Sequence, residues 1–441
     1  MIALGGAIGT GLFLGSTLSI RIAGPAVIAS YLLGAIVALL MTLAVGQLTV
    51  RHPTAGSFGV HAELYLGSLA GFTVKWSYWF AITISIGGEA IATGIYTQFW
   101  FPNLPIWVPA TLFSLGLVAV NAMHVGAFGT FEYWFAMIKV VAIVLFILFG
   151  ISILAGLREA DVPGLAGYQP PAPNGWVALL LAMPVVMFSY LGTEIIAVAS
   201  GEAKDPETSI PRALRTTVVR LILFYVLSMG LLLALMPWRD ITPEHSPFVR
   251  VFDAIGIPGA ASVMSVVVLT AALSSMNTNL YITSRMLFSL ARAGDAPAVF
   301  GRLGPSGTPR TALFASAIGM AIAAVIAKAI PEDAFVFFFG VSIFGGLYCW
   351  AMIFLTHVRY QGVLDGRWQM ADGSKPPPSA IRDHALWRMA ASMAGFAAML
   401  GIIFITWFVP GLQVTLLSGI PWLVLLSIVW VVLRKLKSSR A

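Results

Sequence analysis

Gly5-Gly6-Ala7-Ile8-Gly9-Thr10-Gly11-Leu12-Phe13 and Phe188-Ser189-Tyr190-Leu191-Gly192-Thr193-Glu194-Ile195-Ile196 place glycine, hydroxyl and acid inside stretches otherwise apolar enough to cross a bilayer. In hydrocarbon an interrupted helix is tolerated only where it lines a cavity, so both segments point to ligand chemistry. Where a helix unwinds, the N-terminus of its outer half offers free N–H groups and a positive dipole end, a setting for a carboxylate. In the first segment those donors belong to Ile8, Gly9, Thr10 and Gly11, and the Thr10 hydroxyl is a further donor. Close helix packing is the competing explanation of the glycines. It leaves Glu194, beside Gly192 and Thr193, unexplained, and that acid suits an ammonium group or a proton.

Other residues at membrane depth extend the site. Ionisable groups there are costly and are functional candidates by default, which singles out Glu89, Glu132, Lys139 and Glu194. Glu89 follows Gly87-Gly88, so backbone or ligand can approach it; it either meets an amino group, carries a proton, or pairs with another span. Lys139 lies two helical turns from Glu132, on roughly one face, and either exchanges a proton or is pinned as a permanent charge. Ser274 and Asn277 belong to a polar patch, Ser274-Ser275-Met276-Asn277-Thr278-Asn279, and either line a cavity or bond between helices. Tyr78, Trp76, Trp79 and Tyr190 read as packing or interfacial aromatics, and Phe188 as a gate over the second break.

The elements that hold these residues are set by composition. The chain has 441 residues, 59% hydrophobic and 10% charged, against about 25% charged in soluble domains, and its mean hydropathy is +0.91. It reads as an all-α polytopic membrane protein, because the apolar stretches run for about 20 residues instead of alternating in barrel-strand segments of about 10. Twelve candidate spans fall at 1–20, 25–49, 69–100, 106–123, 128–156, 176–200, 214–236, 258–291, 310–329, 333–357, 389–408 and 413–433. With a cytoplasmic N-terminus, sixteen Lys and Arg lie in inside loops and five outside, the other four of the 25 sitting in spans. That asymmetry puts both termini in the cytoplasm, and the net charge of +7 reports topology, not a nucleic-acid partner.

The two interrupted spans stand five spans apart, in corresponding places of two five-span halves, which is the mark of an inverted repeat. The lone Cys349 allows no intrachain disulfide, and no phosphate loop, His/Cys ligand cluster or nucleophile elbow occurs. The expectation is therefore a transporter without enzymatic activity or cofactor, not driven by ATP. Only four residues precede Gly5, whereas an interrupted helix needs an inner half of about 10, so a natural chain starting upstream is expected.

The chain resembles the prokaryotic amino acid permeases of the amino acid, polyamine and organocation superfamily along essentially its whole length. The likeness rests on Ala3 to Ser16, Ala23-Gly24-Pro25, Phe131-Glu132-Tyr133-Trp134 with Lys139, and Gly192-Thr193-Glu194 leading into Gly201-Glu202-Ala203-Lys204-Asp205-Pro206-Glu207-Thr208-Ser209-Ile210-Pro211-Arg212-Ala213. Ser284-Arg285-Met286-Leu287-Phe288-Ser289-Leu290-Ala291 and Gly294-Asp295-Ala296-Pro297 complete it. One departure is Gly46-Gln47, where relatives commonly show Gly-Glu.

The resemblance implies a leucine-transporter-type fold: a ten-helix core over 1–357 in inverted halves of about 1–156 and 176–357, a cytoplasmic loop at 358–388, and two accessory helices with a basic tail at 389–441. It further implies proton-coupled import of an amino acid across the inner membrane, with no obligatory protein partner. Substrate carboxylate and amino groups would be held by Ile8, Gly9, Thr10 and Gly11 and by Phe188, Gly192, Thr193 and Glu194. Lys139 would stand where sodium-coupled cousins bind sodium. Since Glu89 and Glu194 are both consumed by an amino group and a proton, a neutral amino acid is expected. Obligate exchange, or sensing without transport, are the alternatives.

Overall fold

The computed structural model describes residues 9–52, 57–123, 125–156, 170–198, 206–242, 246–254, 257–304, 307–373 and 385–438. Among them every regular element is helical and no strand occurs. Nine runs are long and apolar enough to cross a membrane. The first, Gly11–Arg51, has 41 residues, about 60 Å of helix and twice a hydrocarbon core of about 30 Å. It is not one rod. A wide π-helical turn, Gly11–Gly15, opens into α1 (Ser16–Ala23), and at Gly24, with φ +59°, followed by Pro25, the chain breaks before α2 (Val27–Arg51).

Two helices of about 30 residues then carry much of the interior: α4 (Ser68–Thr97), entered through the short α3 (Ser57–Leu66), and α6 (Val125–Leu154), which follows the 17-residue α5 (Trp107–Met123). Three pieces, α7 (Val177–Leu181), α8 (Met183–Tyr190) and α9 (Ile195–Val198), are followed by the long α10 (Pro206–Leu235), the short α11 (Pro247–Ala254) and the long α12 (Ala260–Arg292). Next come α13 (Arg310–Ser316) and α14 (Ile318–Ala329), then α15 (Ala334–Leu364), α16 (Ala385–Ile405) and α17 (Val414–Ser438). In chain order α3 lies between α2 and α4, and α11 between α10 and α12.

The core lies where α4 packs along α15 and α12, and α2 along α10. Close approach depends on small residues, as is usual where no hydrophobic force separates helix from lipid. A Cβ at Gly345 would lie 2.6 Å from the Ser77 carbonyl oxygen, and one at Gly319 would collide with that of Thr83, so α15 and α14 both sit directly on the backbone of α4. Outward faces carry exposed Leu, Ile and Val, for example Ile36, Leu145 and Ile428, as a lipid-facing surface requires. α15 extends beyond the expected limit of 357 to Leu364. The reason is lateral: His357 bonds Ser392 of α16 at 2.7 Å and Gln47 of α2 at 3.0 Å, and Gln361 donates to Gln47 at 2.9 Å, so these polar groups are satisfied inside the bundle. The neutral Gln47 is thus a shared acceptor for α15. Likewise α17 continues past 433 to Ser438.

Candidate functional site

At the second break α8 stops at Tyr190, Leu191 turns extended (φ −60°, ψ 145°), and Gly192 takes φ +98°, open to glycine without strain. An interruption in hydrocarbon must have its backbone groups satisfied, and several here have side-chain partners. The Ser189 carbonyl accepts from the Tyr225 hydroxyl at 2.7 Å, and the Tyr190 carbonyl from Thr193 Oγ1 at 3.1 Å. The Gly192 N–H donates to Glu194 Oε1 and Oε2 at 3.1 and 2.9 Å. Tyr78 of α4 donates to Oε1 and Trp350 Nε1 of α15 to Oε2, both at 3.0 Å. Glu194 is fully buried, and its carboxylate pins the break to α4 and α15 through three neutral donors.

The first break is held by the other acid. Glu89 Oε1 accepts the Thr10 N–H at 3.3 Å and the Ser275 hydroxyl of α12 at 3.0 Å, and Asn279 donates to that hydroxyl at 3.4 Å. Glu89 Oε2 is buried and accepts no hydrogen bond from any described group. First-turn N–H groups of the half-helix starting at Thr10 have no acceptor within it. Gly9 and Gly11 are required by proximity: a Cβ at Gly9 would lie 2.7 Å from Glu89 Oε1, and one at Gly11 would lie 3.1 Å from Phe188 Cδ1.

Between these segments lies a small cavity of about 40 Å³, bounded by Gly9, Gly11, Glu89, Phe188, Gly192 and Glu194 from the expected set. Its apolar wall is Ala81, Ile82, Leu191 and Gly346, and Phe188 leans on Phe339 with centroids 4.3 Å apart. Thr10 and Thr193 are buried beside the cavity without lining it, and Ile8 falls outside the described residues. Of the polar patch, Ser275 and Asn279 line the cavity, whereas Ser274 does not, and Asn277 accepts from Asn121 of α5 at 2.8 Å. Spacing alone favoured the Ser274–Asn277 side of α12; the interhelical amide pair turns that side toward α5. Lys139 is fully buried on α6, within electrostatic range of Glu89, and is not a lining residue. The Glu132 side chain lies outside the description. Tyr78 and Trp350, which complete the Glu194 cage, carry no sequence mark distinguishing them from packing aromatics.

Beyond the spans, α3 carries a second polar cluster. His61 Nε2 meets the His52 carbonyl at 2.9 Å, and His52 bonds the Tyr65 hydroxyl at 2.8 Å. Burial lowers His61 to about 4 and lowers His52 as well, helped by Arg51, while burial raises Tyr65.

The family model for "Amino acid permease" matches residues 1–438. The chain belongs to the amino acid permease family. This permease is 40% identical over 364 residues to the "Aromatic amino acid transport protein AroP" of Escherichia coli O6:H1, covering 82% of this chain and 80% of that one. The same description in Salmonella typhimurium strain LT2 matches at 36% over 432 residues, 97% and 92% of the two chains. The "Uncharacterized amino acid permease YtnA" of Bacillus subtilis matches at 38% over 366 residues, 82% of this permease and 79% of that protein. The permease is thus a multi-pass membrane transporter of amino acids, not an enzyme.

Proposed function

We propose that the permease imports a neutral, specifically aromatic, amino acid together with a proton. The observation that carries this reading is the unequal state of the two cavity acids. Glu194 is spent on Tyr78, Trp350 and Gly192, whereas Glu89 keeps one buried oxygen without a described partner. Glu89 is then the acid that meets the substrate's amino group or carries the proton, and Glu194 holds the break in shape. No second acid remains for a cationic side chain, which favours a neutral substrate. The N–H groups at Gly9 and Gly11 suit the carboxylate, the Thr10 N–H being held by Glu89. The relatives' printed substrate class and the apolar wall of Ile82, Phe188 and Leu191 favour an aromatic side chain.

The reading includes twelve passes in the inner membrane, both termini cytoplasmic, as two inverted five-helix halves plus α16 and α17. The length of the Gly11–Arg51 run and the interrupted α7 to α9 support it. Lys139, buried near Glu89, is the coupling residue in this scheme. Uptake into proteoliposomes decides. Under an imposed inside-alkaline gradient, labelled phenylalanine should accumulate without internal amino acid, and excess phenylalanine, tyrosine or tryptophan should compete. Uptake only with preloaded amino acid identifies exchange and refutes symport, and failure of all aromatic competitors refutes the substrate.

A further inference from the structure

A second cavity, of about 310 Å³, lies away from the transport site, lined by residues at the start of α4, just past the end of α12 and in the last turns of α17. One wall is an ion cluster. Lys75 Nζ lies 2.7 Å from Glu63 Oε2 and 3.2 Å from Asp295 Oδ2, and the Asp295 carbonyl is fixed by Trp76 Nε1 at 3.0 Å. Two carboxylates share one ammonium there, so this wall carries one surplus negative charge. Glu63 keeps 44% of its side chain exposed and Asp295 24%. Arg434, which also lines the cavity, lies 5.1 Å over the Trp430 ring, and no ion pair with it is found among the described residues. Leu433 and Phe72 supply apolar surface. The four charged groups of the lining sum to zero.

Its position selects the ligand. Arg434 lies in the last turns of α17, whose Leu425, Ile428, Val432 and Leu436 are exposed in the manner of a lipid-facing surface, and an Arg–Trp pair near the end of such a helix suits headgroup level. We propose that this cavity binds the headgroup of a phosphatidylethanolamine-type lipid, its phosphate on Arg434 and its ammonium on the surplus carboxylate of Glu63 and Asp295. A choline headgroup has no N–H to give those carboxylates, and an anionic glycerol headgroup brings negative charge to a wall that already has an excess.

The test is lipid retention by the purified full-length permease, measured by native mass spectrometry with phosphatidylethanolamine, phosphatidylcholine and phosphatidylglycerol of identical acyl chains. Ethanolamine lipid should be retained best. Arg434→Gln should weaken it about fivefold, the effect of one basic group beside a headgroup. Glu63→Gln should lower ethanolamine retention and raise that of the glycerol lipid; Asp295→Asn, which leaves the Lys75–Glu63 pair in place, should do the same and covers the case in which the first variant does not fold. Soluble glycerophosphoethanolamine should compete only at far higher concentration than the lipid. Equal retention of the three lipids, unchanged ethanolamine retention in Arg434→Gln, or equal competition by the soluble headgroup each overturns the proposal.

Discussion

Replacing Gly9 by alanine places a methyl carbon 2.7 Å from Glu89 Oε1 and 2.9 Å from Ser275 Oγ. Both neighbours are ends of side chains, so they swing aside and the backbone is spared; the displaced atom is the oxygen that accepts from Thr10 N–H and Ser275. A hydrogen bond to a charged group contributes about 1.5–3 kcal/mol. Both bonds are internal to the protein, so losing them lowers its stability by about that much each and moves the carboxylate from its place beside the cavity. The assay is initial-rate uptake of labelled phenylalanine in proteoliposomes at equal protein, with a thermal unfolding curve for each preparation. Gly401→Ala, where no described atom lies within 4 Å of the added carbon, is the control and should transport as the parent does. Gly9→Ala should unfold at a lower temperature than the parent and, assayed where both are folded, transport at well below the parental rate. Parental uptake by Gly9→Ala would refute the placement of Glu89 at the transport site.

Four further outcomes are expected. Glu194→Gln should retain more uptake than Glu194→Ala, because the Tyr78 hydroxyl can turn to accept from the new amide while Trp350 and Gly192 still donate to its oxygen; Glu194→Ala leaves those buried donors unpaired at about 1–3 kcal/mol each, read as a lower unfolding temperature. Gly346→Ala drives Leu191 into the cavity and should raise KM for phenylalanine about tenfold while sparing a small neutral amino acid, which competition curves would show. Lys139→Ala should keep substrate binding, measured by calorimetry, and lose accumulation driven by a proton gradient; undiminished accumulation sinks the coupling role. His61 protonates near 4 when folded and at 6.5 in the unfolded chain, so unfolding takes up a proton and stability falls as pH drops below 6.5. By pH 5 the loss is about 2 kcal/mol, and unfolding temperatures of His61→Gln should show a flatter pH dependence than the parent.

Much of the site is readable in the chain because membrane depth makes polarity expensive. Glu89, Glu194 and Lys139 stand out on that ground alone, and the glycines mark where backbone approaches them. Which acid is already occupied is not readable, because the answer sits in Tyr78 and Trp350, 116 and 156 residues from Glu194. The cavity-facing side of α12 was hidden for a related reason. Polar residues run from Ser274 to Asn279 around the helix, so no single face is marked, and its rotation is settled by Asn121 on another helix.

Composition and the length of apolar runs determined that the chain crosses a membrane as helices, since backbone groups in lipid have no other means of satisfaction within one segment. Glycine and acid inside two of those runs determined where the helices break. Tertiary structure alone decided what the breaks do. It brought Glu89 to Thr10 and Ser275, enclosed Glu194 with donors from two other helices, and left one buried oxygen of Glu89 without a hydrogen bond from any described group. The physical reason is that the cost of a buried acid is set locally, by its own charge, whereas its partners come from helices far apart in sequence.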